Sequence, residues 1–414
     1  MTELNNSQQV CVVVGASHAG SLLAVQLRKE GWAGRIILIG AEAHFPYHRP
    51  PLSKTVLAGD KSIADIALRP HNLYTECAVE LRLGQRVESL NLQEKAVVLG
   101  SGELVVYDQL ALCTGARVRK LGLGEGLRGV HYLRTADDVT AIRAELIPAK
   151  KAVIIGGGYI GLETAAVLTQ LGLQVTVLEA AERLLQRVTS VALSEYFQHL
   201  HAIHRVKIVT RAHVTKIGGD DSVKAVICAD GSEYPADIVI VGIGVIPETR
   251  LAEAAGLQVV NGITVDEYAR TSAPDVFAAG DCTWHPNAFY GYHLRLESVQ
   301  NALDQSRVAA ANIAGKQLVY DALPWFWSDQ YGIKLLSAGL LNGYDDLLVR
   351  GDRLNADAKG FSVFYFKDRK MIAADCVNRA KEFIACKRLI TERLDLNMQA
   401  LADDACAPDT FALA

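Results

Sequence analysis

Val153-Ile154-Ile155-Gly156-Gly157-Gly158-Tyr159-Ile160-Gly161-Leu162-Glu163 decides the fold of this chain. The β-branched run reads as a buried strand, the glycines as a tight turn, and Gly161–Leu171 as a helix with apolar periodicity. In such a strand–turn–helix the glycines let the backbone close on a pyrophosphate. The helix N-terminus supplies N–H donors and a partial positive charge. Gly156, Gly158 and Gly161 complete the dinucleotide fingerprint, with Tyr159 and Ile160 between the last two glycines. Glu179 lies 23 residues after Gly156, at the end of the strand Gln174–Leu178. A carboxylate there accepts hydrogen bonds from an adenosine ribose and repels a 2′-phosphate, so it favours NADH over NADPH. Arg183 and Arg187 follow closely enough to soften that preference, although Arg183 reads more simply as part of a solvated helix face.

A second turn of the same kind precedes it, in Val12-Val13-Val14-Gly15-Ala16-Ser17-His18-Ala19-Gly20. Its middle glycine is replaced by Ser17, and taken alone it also fits a tight turn in any doubly wound fold. Ala41 occupies the place expected for its ribose carboxylate, and Glu42, one residue late, is the candidate there. The two first glycines are 141 residues apart, which leaves room for a whole sheet between them and fits one nucleotide domain inserted in another. Two turns imply two dinucleotides, one held and one exchanged. The residues therefore point to a flavoprotein that takes hydride from a nicotinamide nucleotide.

Composition narrows the class. The 414 residues are 50% hydrophobic and 21% charged, with a net charge of −4, so no basic field for nucleic acid exists. The N-terminal region lacks a signal-peptide pattern. The longest apolar stretch, 152–173, is broken by Glu163 and glycines and does not read as a membrane span. A cytoplasmic enzyme is expected. None of the eight cysteines forms a C-x-x-C pair, which argues against an iron–sulfur cluster, a zinc site or a neighbouring redox dithiol. No metal site is expected.

Patterning predicts strands at 9–14, 35–39, 86–91, 96–99 and 107–112, a helix at 19–30, and short extended pieces at 65–68 and 79–82. After the second fingerprint it predicts a helix at 191–201, strands near 207–209, 223–228 and 237–241, and a long helix at 297–314. Beyond Pro324 a smaller α+β module is expected, with strands at 334–340, 346–349, 361–366 and 371–377 and a helix at 379–391.

Several blocks carry a family resemblance. Pro46-Tyr47-His48-Arg49-Pro50-Pro51-Leu52-Ser53-Lys54, Leu112-Cys113-Thr114-Gly115 and Tyr132-Leu133-Arg134-Thr135 precede the second fingerprint. Gly242-Ile243-Gly244-Val245-Ile246-Pro247, Ala279-Gly280-Asp281-Cys282, Glu297-Ser298-Val299-Gln300-Asn301-Ala302 and Pro324-Trp325-Phe326-Trp327-Ser328-Asp329-Gln330 follow it. In this order the set resembles the FAD-dependent ferredoxin reductases that serve bacterial cytochrome P450 and Rieske-type oxygenases, such as those of aromatic hydrocarbon catabolism.

The resemblance implies an α/β, glutathione-reductase-like flavoprotein with two dinucleotide-binding domains. An FAD domain would comprise 1–115 and 242–325, an NADH domain 116–241, and an α+β interface domain 326–414. FAD would meet Gly15, Ser17, His18, Ala19 and Gly20 of the first turn, then Ala41 or Glu42, Arg49, Pro50 and Lys54. Further FAD contacts would come from Val87, Thr114, Gly115, Arg134, Gly280, Asp281, Glu297, Ser298, Val299 and Trp327. Asp281 would accept from a ribityl hydroxyl, its plainer reading being a helix N-cap. NADH would meet the second fingerprint, Glu179, Arg187 and Gly242-Ile243-Gly244. Lys54 would lie beside the flavin's reactive edge and Glu163 beside the nicotinamide, and a lysine there stabilises negative charge on the reduced ring. Trp325 and Trp327 read as a flavin border or as aromatic packing.

Electrons would pass to a small [2Fe-2S] ferredoxin, with a rubredoxin as the alternative acceptor. A disulfide-reducing relative would need a redox cysteine after the second strand, and residues 40–60 contain none. A flavin monooxygenase or oxidase, and a non-catalytic flavin-binding sensor, are the remaining alternatives.

Overall fold

Alternation along the first strand shows why it lies in the middle of a sheet. Cys11 and Val13 enter one core with Leu23 and Leu27, while Val12 and Val14 enter a second core with Leu110 and Leu112. A strand buried on both faces is the signature of a parallel sheet covered on each side. The structure is a computed structural model that describes residues 8–353 and 360–413. It divides into two units: Met1–Arg49, Ser62–Arg117 and Val245–Ala322 form one, and Pro50–Lys61, Val118–Gly244 and Leu323–Ala414 the other.

The first unit is built on a five-stranded parallel sheet. In spatial order its strands are Val276–Ala278, Gln109–Leu112, Val10–Val14, Arg35–Gly40 and Val79–Leu83. The helices His18–Lys29 and Val299–Ile313 pack on each other within this unit. A three-stranded antiparallel sheet, Val87–Asn91, Ala96–Leu99 and Leu104–Val106, adds a second small layer.

The second unit contains another five-stranded parallel sheet, ordered Lys207–Val209, Gln174–Leu178, Lys151–Ile155, Ile238–Val241 and Val130–Tyr132. It also contains a five-stranded antiparallel sheet: Trp325–Gln330, Ile333–Gly339, Lys370–Val377, Phe361–Lys367 and Asp346–Arg350. The helix Ala380–Glu392 covers this last sheet.

Among the departures from the sequence expectations, which include the strands Val130–Tyr132 and Trp325–Gln330 and the helix His71–Glu76, three have a visible local cause. Residues 65–68, expected to be extended, begin in a 3-10 turn, Ala64–Ile66. Asp65 Oδ2 accepts from both the backbone N–H and the hydroxyl of Ser62, and such local side-chain bonds compete with an extended chain. The long helix starts at Val299 and not at 297, because the Ser298 hydroxyl caps it by accepting from Asn301 N. A helix not anticipated, Ala136–Glu145, opens with a capping box between Thr135 and Asp138.

Arg350 ties the end of the chain to the antiparallel sheet. It is 1% exposed and donates to Glu382 Oε1 at 3.0 Å, to the Ala400 and Asp403 carbonyls at 2.7 and 2.6 Å, and to the Cys406 carbonyl at 2.6 Å. Its guanidinium also lies 4.8 Å from the Phe411 ring centroid. Breaking a buried charge pair from one side costs about 3–5 kcal/mol. Arg350→Ala is therefore expected to lower the urea unfolding free energy by about that amount; a loss below ~1 kcal/mol would show that this staple carries no net stability.

Candidate functional site

Each unit carries one of the two dinucleotide turns. In the second unit a Cβ on Gly156 would fall 2.3 Å from the Gly242 carbonyl oxygen, and one on Gly161 would fall 2.2 Å from the Gly156 oxygen. Both glycines are thus required by the backbone itself, and Gly156 also has φ +114°. Gly158 differs, because a Cβ there would meet nothing within 4 Å. It caps the helix Tyr159–Gln170 in an extended conformation with no side chain on the terminal N–H groups. The open space and bare helix end are what a pyrophosphate requires of such a turn.

Glu179 stands beside that turn. Its Oε2 accepts from Gly157 N at 2.6 Å and its Oε1 from Ala181 N at 2.7 Å, which fixes the carboxylate at the strand end. Arg187 lies by the Gly242–Gly244 segment: a Cβ at Gly244 would be 3.9 Å from its Nη2. Arg183 is not on a solvated helix face. Half-buried in the loop, it donates to the Gln186, Thr189 and Ser190 carbonyls and to Ser194 Oγ, so it shapes the loop and is committed there.

The first turn repeats the design with one change. A Cβ on Gly15 would lie 2.1 Å from the Cys113 carbonyl oxygen, and one on Gly20 1.9 Å from the Gly15 oxygen. Ser17 fills the position equivalent to Gly158, where a side chain has room. Its hydroxyl accepts from Arg49 Nε at 3.0 Å. Arg49 Nη2 also bonds Glu42 Oε1 at 2.6 Å, and the Tyr47 hydroxyl donates to Glu42 Oε2 at 2.5 Å. The structure therefore brings Ser17, Glu42 and Arg49 together, while Ala41 is an exposed residue without a polar side chain.

Other expected residues converge on this first unit. A Cβ on Gly280 would stand 3.2 Å from the Ala19 Cβ, and Gly280 N donates to Gln305 Oε1 at 2.8 Å. Asp281 thus follows a strand end next to the start of the first helix, and it interacts electrostatically with Arg49. It caps no helix; Ser298 does that for the helix that follows. Val299 is the first residue of that helix, and Glu297 pairs with Arg295. Thr114 Oγ1 donates to the Glu248 carbonyl at 2.6 Å, and Gly115 follows with φ +66°. His18 is buried at the start of the first helix, its ring 5.4 Å from that of His48. Val87 is buried at the start of its strand, just after Gln85 N bonds the Gly40 carbonyl.

Pro50, Lys54, Arg134 and Trp327 belong to the second unit. Arg134 precedes the capped helix, its N–H donating to Asp138 Oδ2 at 3.0 Å. Trp327 lies 5.7 Å from Trp325, which packs on Phe383. Lys54 and Glu163 meet directly, with Nζ 2.7 Å from Oε2. Glu163 is 2% exposed and accepts two further bonds, from Ser53 Oγ at 2.6 Å and Ser328 Oγ at 2.7 Å. Sequence reading did not find Ser53 or Ser328 as partners; both stood in quoted blocks, but nothing in linear order joins them to residue 163.

A second buried network borders the same turn. The Tyr159 phenol hydrogen-bonds Ser337, and Ser337 Oγ donates to Asp375 Oδ1 at 2.5 Å. The Tyr365 hydroxyl donates to Asp375 Oδ2 at 2.7 Å and bonds Ser190 Oγ at 3.0 Å. Burial pushes the Asp375 carboxyl up to about 6, against the lowering effect of its two donors.

Comparison with known proteins identifies the architecture. A family profile described as pyridine nucleotide-disulphide oxidoreductase matches residues 9–306, and one described as reductase C-terminal matches 325–410. The 5,5′-dehydrodivanillate O-demethylase ferredoxin reductase subunit of Sphingobium sp. strain SYK-6 is 43% identical over 95% of this chain and 96% of its own length. Putidaredoxin reductase of Pseudomonas putida is 42% identical over 97% and 96%. The chain belongs to the ferredoxin reductases of the pyridine nucleotide-disulphide oxidoreductase family. The crystal structure of a covalent putidaredoxin reductase–putidaredoxin complex superposes with a TM-score of 0.93 at 42% identity, over 96% of this chain and 97% of that one. This reductase is an oxidoreductase whose cofactors are FAD and a nicotinamide dinucleotide. Its eight cysteines are all unpaired. Among the described residues no helix is long and apolar enough to cross a membrane.

Two outcomes are expected from this geometry. Gly158→Ala should fold with its FAD intact but weaken NADH binding at least about tenfold, measured by titration, whereas Gly156→Ala should fail to give stable protein; equal tolerance of both would contradict the assigned roles. Separately, folded Asp375 keeps a proton that the unfolded chain releases near its ordinary 3.8, so its contribution to stability is lost as pH rises from about 4 to 6. Asp375→Asn should remove that decline, worth about 3 kcal/mol for a displacement of this size. Thermal melts of both proteins between pH 4 and 7 that stay parallel would overturn it.

Proposed function

We propose that this chain is an NADH:ferredoxin reductase that passes electrons, through tightly bound FAD, to a small [2Fe-2S] ferredoxin feeding a P450 or Rieske-type oxygenase. The observation that carries the reading is the intact second fingerprint with Glu179 held at its strand end, in a chain similar nearly end to end to a reductase solved with its redox partner. FAD, when bound, supplies the change from a two-electron donor to a one-electron acceptor.

The protein's own share is binding, orientation and electrostatics. Gly156, Gly158 and Gly161, with Tyr159 and Ile160, would seat the NADH pyrophosphate on the helix end. Glu179 would hold the ribose diol, with Arg187 and Gly242-Ile243-Gly244 completing the edge. FAD would lie along the first turn: Gly15 to Gly20 for its pyrophosphate, Glu42 in place of Ala41 for its ribose, and Asp281 for a ribityl hydroxyl. Arg49, held by Ser17 and Glu42, stands beside that turn, Arg134 would balance pyrophosphate charge, and Thr114, Gly115, Val87 and Val299 would complete the seat. Lys54, oriented by Glu163, places a fixed positive charge where negative charge grows. No general acid and no nucleophile is needed. The unpaired cysteines suit the reducing cytoplasm, where we place the enzyme.

Glu179→Ala should reduce the ratio of kcat/KM for NADH over NADPH by about tenfold or more; an unchanged ratio would sink the ribose assignment. The electron route itself is tested by anaerobic stopped-flow. NADH should bleach the flavin, oxidised [2Fe-2S] ferredoxin should then restore its colour, and Lys54→Met should slow the first phase with FAD still bound. Bleaching without transfer to any ferredoxin would refute the proposed partner.

A further inference from the structure

Glu163 is also the end of a longer buried path whose outer members have no part in the reading above. Ser328 Oγ, which donates to Glu163 Oε1, accepts in turn from Gln330 Nε2 at 3.2 Å. Gln330 Oε1 stands 2.8 Å from His201 Nε2, and His201 Nδ1 stands 3.3 Å from the Tyr331 hydroxyl. Tyr331 stacks on His204, an exposed residue, with ring centroids 3.7 Å apart. The path runs from solvent to the buried ion pair, and every member lies in the second unit.

Its direction follows from chemistry. Glu163, already paired with Lys54, accepts, so the Ser328 hydroxyl must donate. The serine oxygen then accepts from the Gln330 amide nitrogen, which turns the amide oxygen toward His201. That oxygen can only accept, so His201 carries its proton on Nε2 and its Nδ1 accepts from Tyr331. Burial depresses the His201 imidazole to about 4, which keeps it neutral and suits this single tautomer. All four donors therefore point the same way.

We propose that Tyr331, His201, Gln330 and Ser328 form a one-way donor relay that fixes the rotamer and negative charge of Glu163, so that His201 and Gln330 are positioning residues for the Lys54 ammonium. This rests on the reading that places Lys54 at the flavin. The arrangement depends on strand periodicity. In Trp325–Gln330 the residues Phe326, Ser328 and Gln330 share one face, where Phe326 meets Tyr159, Ser328 meets Glu163 and Gln330 meets His201. Trp325 and Trp327 occupy the other face. Aligned donors in a low-dielectric interior polarise one another, so the last bond to the carboxylate is strengthened by those behind it.

The same path does not serve as a proton wire. A proton crossing Gln330 would require the amide to isomerise to its imidic acid, whereas orientation and charge pass through an amide unchanged. The relay transmits alignment.

Four variants of the FAD-loaded enzyme test this, by anaerobic stopped-flow with NADH and by 15N-histidine NMR. Ser328→Ala and His201→Leu should each slow flavin bleaching at saturating NADH about tenfold while NADH dissociation constants stay within about twofold, as expected for weakening one charge-assisted hydrogen bond. His201→Gln, whose amide nitrogen takes the place of Nε2, should recover to within about threefold of the parent. The NMR spectrum should show His201 neutral with its proton on Nε2, and Glu163→Gln should shift that resonance. A folded Ser328→Ala enzyme that bleaches at the parent rate, or His201 protonated on Nδ1, overturns the relay. Should Glu163→Gln itself leave bleaching unchanged, the assignment of the ion pair to the flavin fails, and the NMR arm still decides the relay.

Discussion

The ion pair between Lys54 and Glu163 is the constraint around which the second unit is arranged. A carboxylate that is 2% exposed survives only if both oxygens are satisfied. Here Oε2 takes Lys54 and Ser53, and Oε1 takes Ser328. With the glutamate's own helix, Tyr159–Gln170, the pair joins three separate stretches, the others being Pro50–Ser53 with the adjoining Lys54 and the strand Trp325–Gln330. None of the three supplies a satisfied charge without the others. Bringing them together therefore fixes the lysine's position while meeting the desolvation demand of the glutamate.

The two dinucleotide turns show how one scaffold is used twice with different side chains. Their outer glycines are forced by backbone contacts shorter than any side chain allows, and both turns keep them. The middle position has no such contact, and there the turns diverge. Gly158 leaves open space at its helix end, whereas Ser17 offers a hydroxyl that Arg49 engages. The departure from the usual pattern at Ser17 is thus confined to the one glycine that packing does not demand. Glu42 and Glu179 show a parallel difference: one carboxylate is bound by Arg49 and Tyr47, the other by two backbone N–H groups.

Features that depend on short-range order were readable from residue order alone. The strand–turn–helix of each fingerprint, the carboxylate at the end of Gln174–Leu178 and four of the five strands of the last sheet follow from periodicity and glycine placement; the fifth, Trp325–Gln330, stood in a quoted block but was not read as a strand. The helix Ala136–Glu145 was missed although Thr135 and Asp138 carry a capping signal, because its apolar stripe is short: only Ala136, Val139 and Ile142 are buried. The partners of Glu163 were not readable at all. Ser53 lies 110 residues before it and Ser328 lies 165 after it, and serines carry no pattern that marks them as donors to a distant carboxylate. Arg183 misled for the opposite reason, since an arginine after a strand looks solvated until the carbonyls it closes on are seen.

The discontinuous first unit has a consequence for how the chain is made. Its central strands, Val10–Val14 and Arg35–Gly40, leave the ribosome early, yet the edge strand Val276–Ala278 and the helix Val299–Ile313 come some 250 residues later. All five strands of the second parallel sheet lie between residues 130 and 241, so that sheet can close while the first still waits for its edge. The strand Gln109–Leu112 accordingly spends part of synthesis with one side unpaired, a long-range closure of the kind that slows folding and exposes nascent chains to misassembly. The early strands of this unit are thus among the last to reach their finished surroundings.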